Sequence, residues 1–265
     1  MAMSTHGLVG SGRTQSFFTM TYASFMSQFK PIPSLGLHKA QQWLEPWNRK
    51  PIMRKKELLT SDRDAVIRSS PESIPAQEEL LELIMQECDQ MKMHITPKGP
   101  LELASLMVIE DLCIMLPIDG TYQLVAAAVF SPSNWKLAEK FKQNIAEIHQ
   151  KVPGFDEDMT KKVDHVFRGL APDRILERYN WSIYTNPTLY QPEKLPGKEF
   201  YLRIERQTIR KLERSKGIVF TIGVHVDPLK DVVKDDHMGP QLKQAINDLP
   251  QEVLDYKEMN YSYKE

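Results

Sequence analysis

The sequence predicts an α+β fold organised around an antiparallel sheet, and three observations carry that prediction. An Asp119-Gly120 pair separates two strand-like runs, Asp111 to Leu116 and Tyr122 to Phe130, which is the signal of a tight hairpin. A second hairpin is written into Phe200 to Thr208 and Gly217 to Ile222, both rich in branched and aromatic residues and joined by a polar connection. Helical stripes lie between and after these strands, without the regular alternation of strand and helix that a doubly wound fold needs.

Taken in order, residues 1–30 read as a disordered extension and residues 31–265 as a single domain. Residues 31–75 are rich in proline and charge, and read as an extended arm anchored on the body by Trp43 and Trp47. Pro75 and the acids behind it open a helix striped by Leu80, Leu83 and Ile84. After the first hairpin, Ser131-Pro132-Ser133-Asn134 stops the strand. It also supplies caps for a helix from Trp135 to about His149, with Leu137, Phe141, Ile145 and Ile148 on one stripe. A helix from Asp156 to Leu170 follows, then a short strand at Asn180 to Tyr184, the second hairpin, and a polar helix from Gln241 to Leu249.

Composition narrows the function classes. Lys and Arg number 34 against 35 Asp and Glu, so a net charge of −1 gives no electrostatic case for nucleic acid or an anionic membrane as the main partner. Two cysteines, Cys88 and Cys113, exclude a dense disulfide framework and a four-cysteine zinc or iron–sulfur site, and fit a reducing compartment. The apolar run Leu124 to Phe130 is too short to span a bilayer, so a soluble cytoplasmic protein is expected. The alternative is a mitochondrial presequence, because the N-terminus lacks acids up to Leu44, although Arg13, Lys30 and Lys39 are its only strong bases. No phosphate loop, His-Glu-x-x-His or Gly-x-Ser-x-Gly signature is present.

Charge inside a strand is the remaining clue. Arg203, Glu205 and Arg206 fall in a segment that otherwise reads as buried, and such charges are seldom buried unless paired or used on a ligand. Strand alternation puts Tyr201, Arg203, Glu205 and Gln207 on one face, and Leu202, Ile204, Arg206 and Thr208 on the other. Either a solvated face with a local ion pair or an anion site satisfies the pattern. Among the seven histidines, His149 ends an amphipathic helix just before Pro153-Gly154, where its ring either meets the last carbonyls or faces a cavity.

Five segments, in order, resemble the haem-dependent oxidative N-demethylase family. They are Ile109-Glu110-Asp111-Leu112, Phe130 to Trp135, Ile148 to Gly154, Arg178-Tyr179-Asn180-Trp181, and Arg203 to Thr208 leading to Phe220-Thr221-Ile222. The resemblance implies a PAS-like antiparallel sheet with added helices and haem b between sheet and helices. It implies oxidative demethylation of a small secondary amine by dioxygen with release of formaldehyde, with electrons from a separate reductase subunit. A non-catalytic PAS-like haem or small-molecule sensor is the alternative. Carried over by residue, it makes His149 the axial iron ligand and Arg203 or Arg206 the partner of the propionates, with Arg178 and Lys140 as further candidates. Glu205 would position the amine or relay protons, and Trp135 and Trp181 would form pocket walls.

Overall fold

The computed structural model describes residues 37–46, 48–87, 97–236 and 238–259; the expected extension at 1–30 and Trp47 lie outside them. Seven strands form one sheet: β1 (His38–Lys39), β2 (Ile67–Ser69), β3 (Asp111–Ile118), β4 (Thr121–Ala128), β5 (Ile175–Tyr184), β6 (Tyr201–Lys211) and β7 (Ile218–Pro228). Their spatial order is β1-β5-β6-β7-β3-β4-β2, and every pairing is antiparallel, so the α+β expectation holds. The first hairpin turns where expected. Asp119 and Gly120 take φ of 48° and 83°, the doubly left-handed turn that matches the twist of the flanking strands.

Side-chain alternation in register divides the sheet into two faces. One carries Leu176, Ile209, Ile218, Cys113 and Met115 against α7 (Glu157–Gly169), where Phe167 meets Tyr122 edge to face at 5.2 Å. The other carries Leu112, Ile114 and Val219 against α1 (Arg49–Ser61), α3 (Ile74–Glu87) and α4 (Pro100–Met107). Further along this second face, Trp181, Ile183, Leu202 and Ile204 pack on α8 (Leu229–Val232), α9 (Met238–Asp248) and α10 (Gln251–Tyr256), counting the short α2 (Arg63–Val66), α5 (Leu137–Lys140) and α6 (Ile145–Ile148) in chain order.

Two expectations fail for identifiable reasons. The stretch read as an extended arm is largely helical, since α1 runs thirteen residues from an Asn48 side-chain cap; only its beginning, around β1 and the buried Trp43, is extended. The helix expected from Trp135 to His149 is two short helices. Between them Lys142 takes φ of +66°, its amide donates to the Leu124 carbonyl at 2.9 Å, and the Leu124 amide donates to Gln143 at 3.0 Å. This half of β4 lies beyond the reach of β2, so its free edge captures the backbone that would otherwise continue the helix. Asn144 then restarts α6 with a capping box to Glu147.

Candidate functional site

The cross-strand pairs Arg178–Gln207, Asn180–Glu205 and Ser182–Arg203 stand on the α7 face, which the segment from Ser131 to Phe155 also covers. Two buried charges aim that segment. Asp111, at the start of β3, accepts from the amides of Phe130 at 2.8 Å and Ser131 at 2.9 Å. Arg203, 1% exposed, donates to the carbonyls of Ser131 at 2.8 Å, Leu189 at 3.0 Å, Pro132 at 3.3 Å and Thr188 at 3.4 Å, and through Nε to Ser133 Oγ at 2.8 Å. It therefore clamps two loops to the sheet. Beneath this corner Lys55, 2% exposed, donates to the carbonyls of Ser105, Val108 and Glu110, which caps the end of α4.

Glu205 is the hub of the polar network. It accepts from Ser133 Oγ, from Gln207 Nε2 at 2.7 Å and from Asn180 Nδ2 at 3.2 Å. The other end of the Asn180 amide accepts from Lys257 Nζ at 2.9 Å, and the same ammonium covers the Trp181 carbonyl. A hydrogen-bonded chain Arg203–Ser133–Glu205–Asn180–Lys257 thus lines a cleft of ≈ 100 Å³, which Asn134, Tyr184 and Tyr256 complete. Burial pulls the Lys257 pKa from 10.5 down to about 8 against the opposing pull of Glu205, and pushes Tyr184 up to about 12.

His149 closes α6 further along the face. Its Nδ1 lies 2.9 Å from the Ile145 carbonyl, and because an oxygen there accepts, Nδ1 carries the proton and Nε2 holds the lone pair of the neutral ring. Phe155 stacks on the ring at 4.3 Å between centroids, 15° from parallel. Burial lowers the imidazole pKa below 6.5; the Ile145 contact opposes this, and the charges of Arg178 and Lys140 add to it. Lys140 Nζ caps the Ile148 carbonyl. Arg178 is half-buried, with no side-chain hydrogen bond or ion pair among the described residues, and Glu205 is the one charge that favours its ionised form.

Of the residues singled out from sequence, the structure thus brings together His149, Arg178, Lys140, Glu205 and Arg203 on one face, with Trp135 packed nearby against the α7 layer. Arg206 is not among them. It projects from the opposite face, pairs with Glu177 at 2.9 Å, and holds the carbonyls of Trp43 and Gln42. Arg206 thus stands on the face away from His149 and Arg178, because the alternation that aims Arg203 one way aims Arg206 the other. Glu45, from the same arm, meets His225 Nε2 at 3.0 Å and donates its own amide to Glu110. A Cβ at Gly223 would come within 2.3 Å of Glu45 Oε1, so a side chain there would have to displace this carboxylate. Burial, and then the charge of Glu45, raise the Glu110 carboxyl to about 7. Trp181 also points to the far face, into the C-terminal cluster, and reaches the cleft at its edge beneath Lys257, 5.8 Å from its ring centroid.

A family model described as haem-dependent oxidative N-demethylase, alpha subunit-like, matches residues 87–265. The chain belongs to that family. The name of this family makes the haem-dependent demethylase subunit the frame for the site, and an alpha subunit implies an oxygenase of several subunits. The donor set fits the cofactor: a neutral imidazole with a free Nε2 lone pair suits haem iron, and unpaired Arg178 with Lys140 suits propionates.

Sequence reasoning missed Lys257, Ser133 as a ligand of Glu205, and the role of Asn180. Ser133 sat in plain view as a cap candidate after β4. Lys257 gives no local signal, lying among Asp255, Tyr256 and Glu258 beyond the last helix expected from the sequence. No helix among the described residues is long and apolar enough to cross a membrane.

Proposed function

We propose that this chain is the haem b-binding subunit of an oxidative N-demethylase with a PAS-like arrangement, acting on a small secondary amine with release of formaldehyde. The observation that carries the reading is His149: a neutral imidazole whose Nδ1–H is fixed by the Ile145 carbonyl, set beside two cations on the same sheet face. When bound, the haem supplies dioxygen binding and the oxidation of the N-methyl group. The chain supplies the rest. His149 Nε2 would hold the iron, its fixed tautomer keeping the lone pair available. Arg178 and Lys140 would neutralise the propionates, and Trp135 would give the pocket an apolar wall. Glu205, held by Ser133, Gln207 and Asn180, presents a carboxylate for a secondary ammonium and for the proton that it gives up. Arg203 acts through Ser133 and is a positioning residue.

The electron source is external. Two cysteines and the absence of a Gly-rich nucleotide loop leave the chain without its own iron–sulfur or nicotinamide site, so a separate reductase subunit completes the system.

Purification with haem supplementation tests this reading. Wild type should show a Soret band that His149→Ala abolishes or shifts, and the loaded protein with a competent reductase should release formaldehyde from dimethylamine. No band in wild type, or an unchanged band in His149→Ala, overturns the ligation. A loaded protein that releases no formaldehyde from any secondary amine leaves the sensor reading in its place.

A further inference from the structure

Among the described residues, burial pulls two lysines down to a pKa of about 8, Lys55 and the partly exposed Lys257, and they differ in what remains for them to do. Lys55 spends its three N–H groups on three carbonyls and adjoins a cavity of only ≈ 20 Å³. Lys257 has two acceptors, Asn180 Oδ1 and the Trp181 carbonyl, and its third position is left to a cleft of ≈ 100 Å³ that also holds Glu205. A cleft of that size admits a molecule of one or two carbons. The wall around Nζ combines an aromatic ring, a carboxylate two hydrogen bonds away through Asn180, and the Tyr256 phenol.

We propose that Lys257 is a carbonyl-reactive lysine whose Nζ captures a small aldehyde in this cleft, formaldehyde being the aldehyde that N-demethylation releases beside it. The choice of formaldehyde rests on the demethylase reading; the reactivity of the amine does not. Burial holds the ammonium at a pKa of about 8, so a useful fraction is free amine near neutrality, as for other desolvated nucleophilic lysines. The step balances without any redox partner. The ammonium gives up one proton, the Nζ lone pair forms the N–C bond while the carbonyl π bond breaks towards oxygen, and that oxygen takes up the proton. Loss of this hydroxyl as water, with a second proton from Nζ, leaves an iminium that keeps the single positive charge. The iminium retains one N–H, so one of the two present hydrogen bonds is surrendered, and the charge of Glu205 still faces a cation.

Reductive methylation of the full-length protein tests the assignment. Formaldehyde and cyanoborohydride are added at about pH 8, and site occupancy is read by peptide mass spectrometry against time. Lys257 should be methylated about tenfold faster than the solvent-exposed Lys161 and Lys162, with Lys55 unmodified and Lys257→Arg removing the fast phase. Methylation of Lys257 no faster than that of Lys161 overturns the proposal. Because added aldehyde replaces turnover, a protein without demethylase activity still gives the fast phase if Lys257 is reactive. An active demethylase with an unreactive Lys257 overturns only this inference.

Discussion

Arg203 and Arg206 stand three residues apart on β6, each buried, and their surroundings differ in kind. Arg206 meets a carboxylate, Glu177, along with two carbonyls of the N-terminal arm. Arg203 meets five oxygens, none of them a carboxylate, and its hydrogen-bonded link to Glu205 runs through Ser133. The first is a latch: charge cancelled locally, geometry serving only to hold the arm. The second shapes a surface, because the loops it clamps carry Ser133 and so fix how Glu205 is presented to the cleft. Burial of an arginine therefore says little by itself about function, and what its partners are attached to says more.

That contrast is breakable by mutation. The largest effect is expected at the latch. Arg206→Met should cost about 3–5 kcal/mol in urea unfolding, because a buried ion pair is broken on one side, and the double change with Glu177→Met should recover at least half of the loss. Failure of the second change to restore stability would show that the arm carbonyls, rather than the ion pair, carry the latch. Arg203→Lys should cost less, about 1–3 kcal/mol, since one ammonium cannot serve both loops. Unlike the latch variant, it should also change the cleft, and loss of amine turnover out of proportion to stability is the readout.

The smallest effect is a pH dependence on the far face. Glu110 titrates higher in the folded protein than its ordinary 4.5, so the folded state binds the extra proton and stability falls as pH rises from 4.5 towards about 7. Glu110→Gln should flatten that slope by on the order of 1 kcal/mol across the window, measured as urea midpoints at stepped pH. An unchanged slope would place the titration elsewhere in the Glu45–His225 group.

Much of this architecture is legible before folding. A period of two on β6 separated the Arg203 face from the Arg206 face, and the Asp119-Gly120 pair placed the hairpin, because both are short-range consequences of backbone geometry. Helical periodicity between Trp135 and His149 was real, yet the unpaired edge of β4 broke the helix at Lys142, and an edge contact across the fold leaves no trace in local pattern. Proline and charge hid α1 for a different reason: its helix rests on packing around Ile52, Lys55 and Leu58, not on propensity. In the site, the segment around Asp111, the turn at Ser131 to Ser133 and the strand at Arg203 were noticed separately. Their joint meaning appears only when Asp111 and Arg203 are seen to hold the same corner. Lys257 was illegible because its chemistry is conferred by burial against residues far away in sequence.

The sheet has short borders on both sides, with two residues in β1 and three in β2, and further along β5, past its pairing with β1, the ammonium of Lys257 occupies the Trp181 carbonyl. A short or interrupted border offers a second molecule less backbone to zip onto, so these features blunt the sheet against growing into ribbons and fibres.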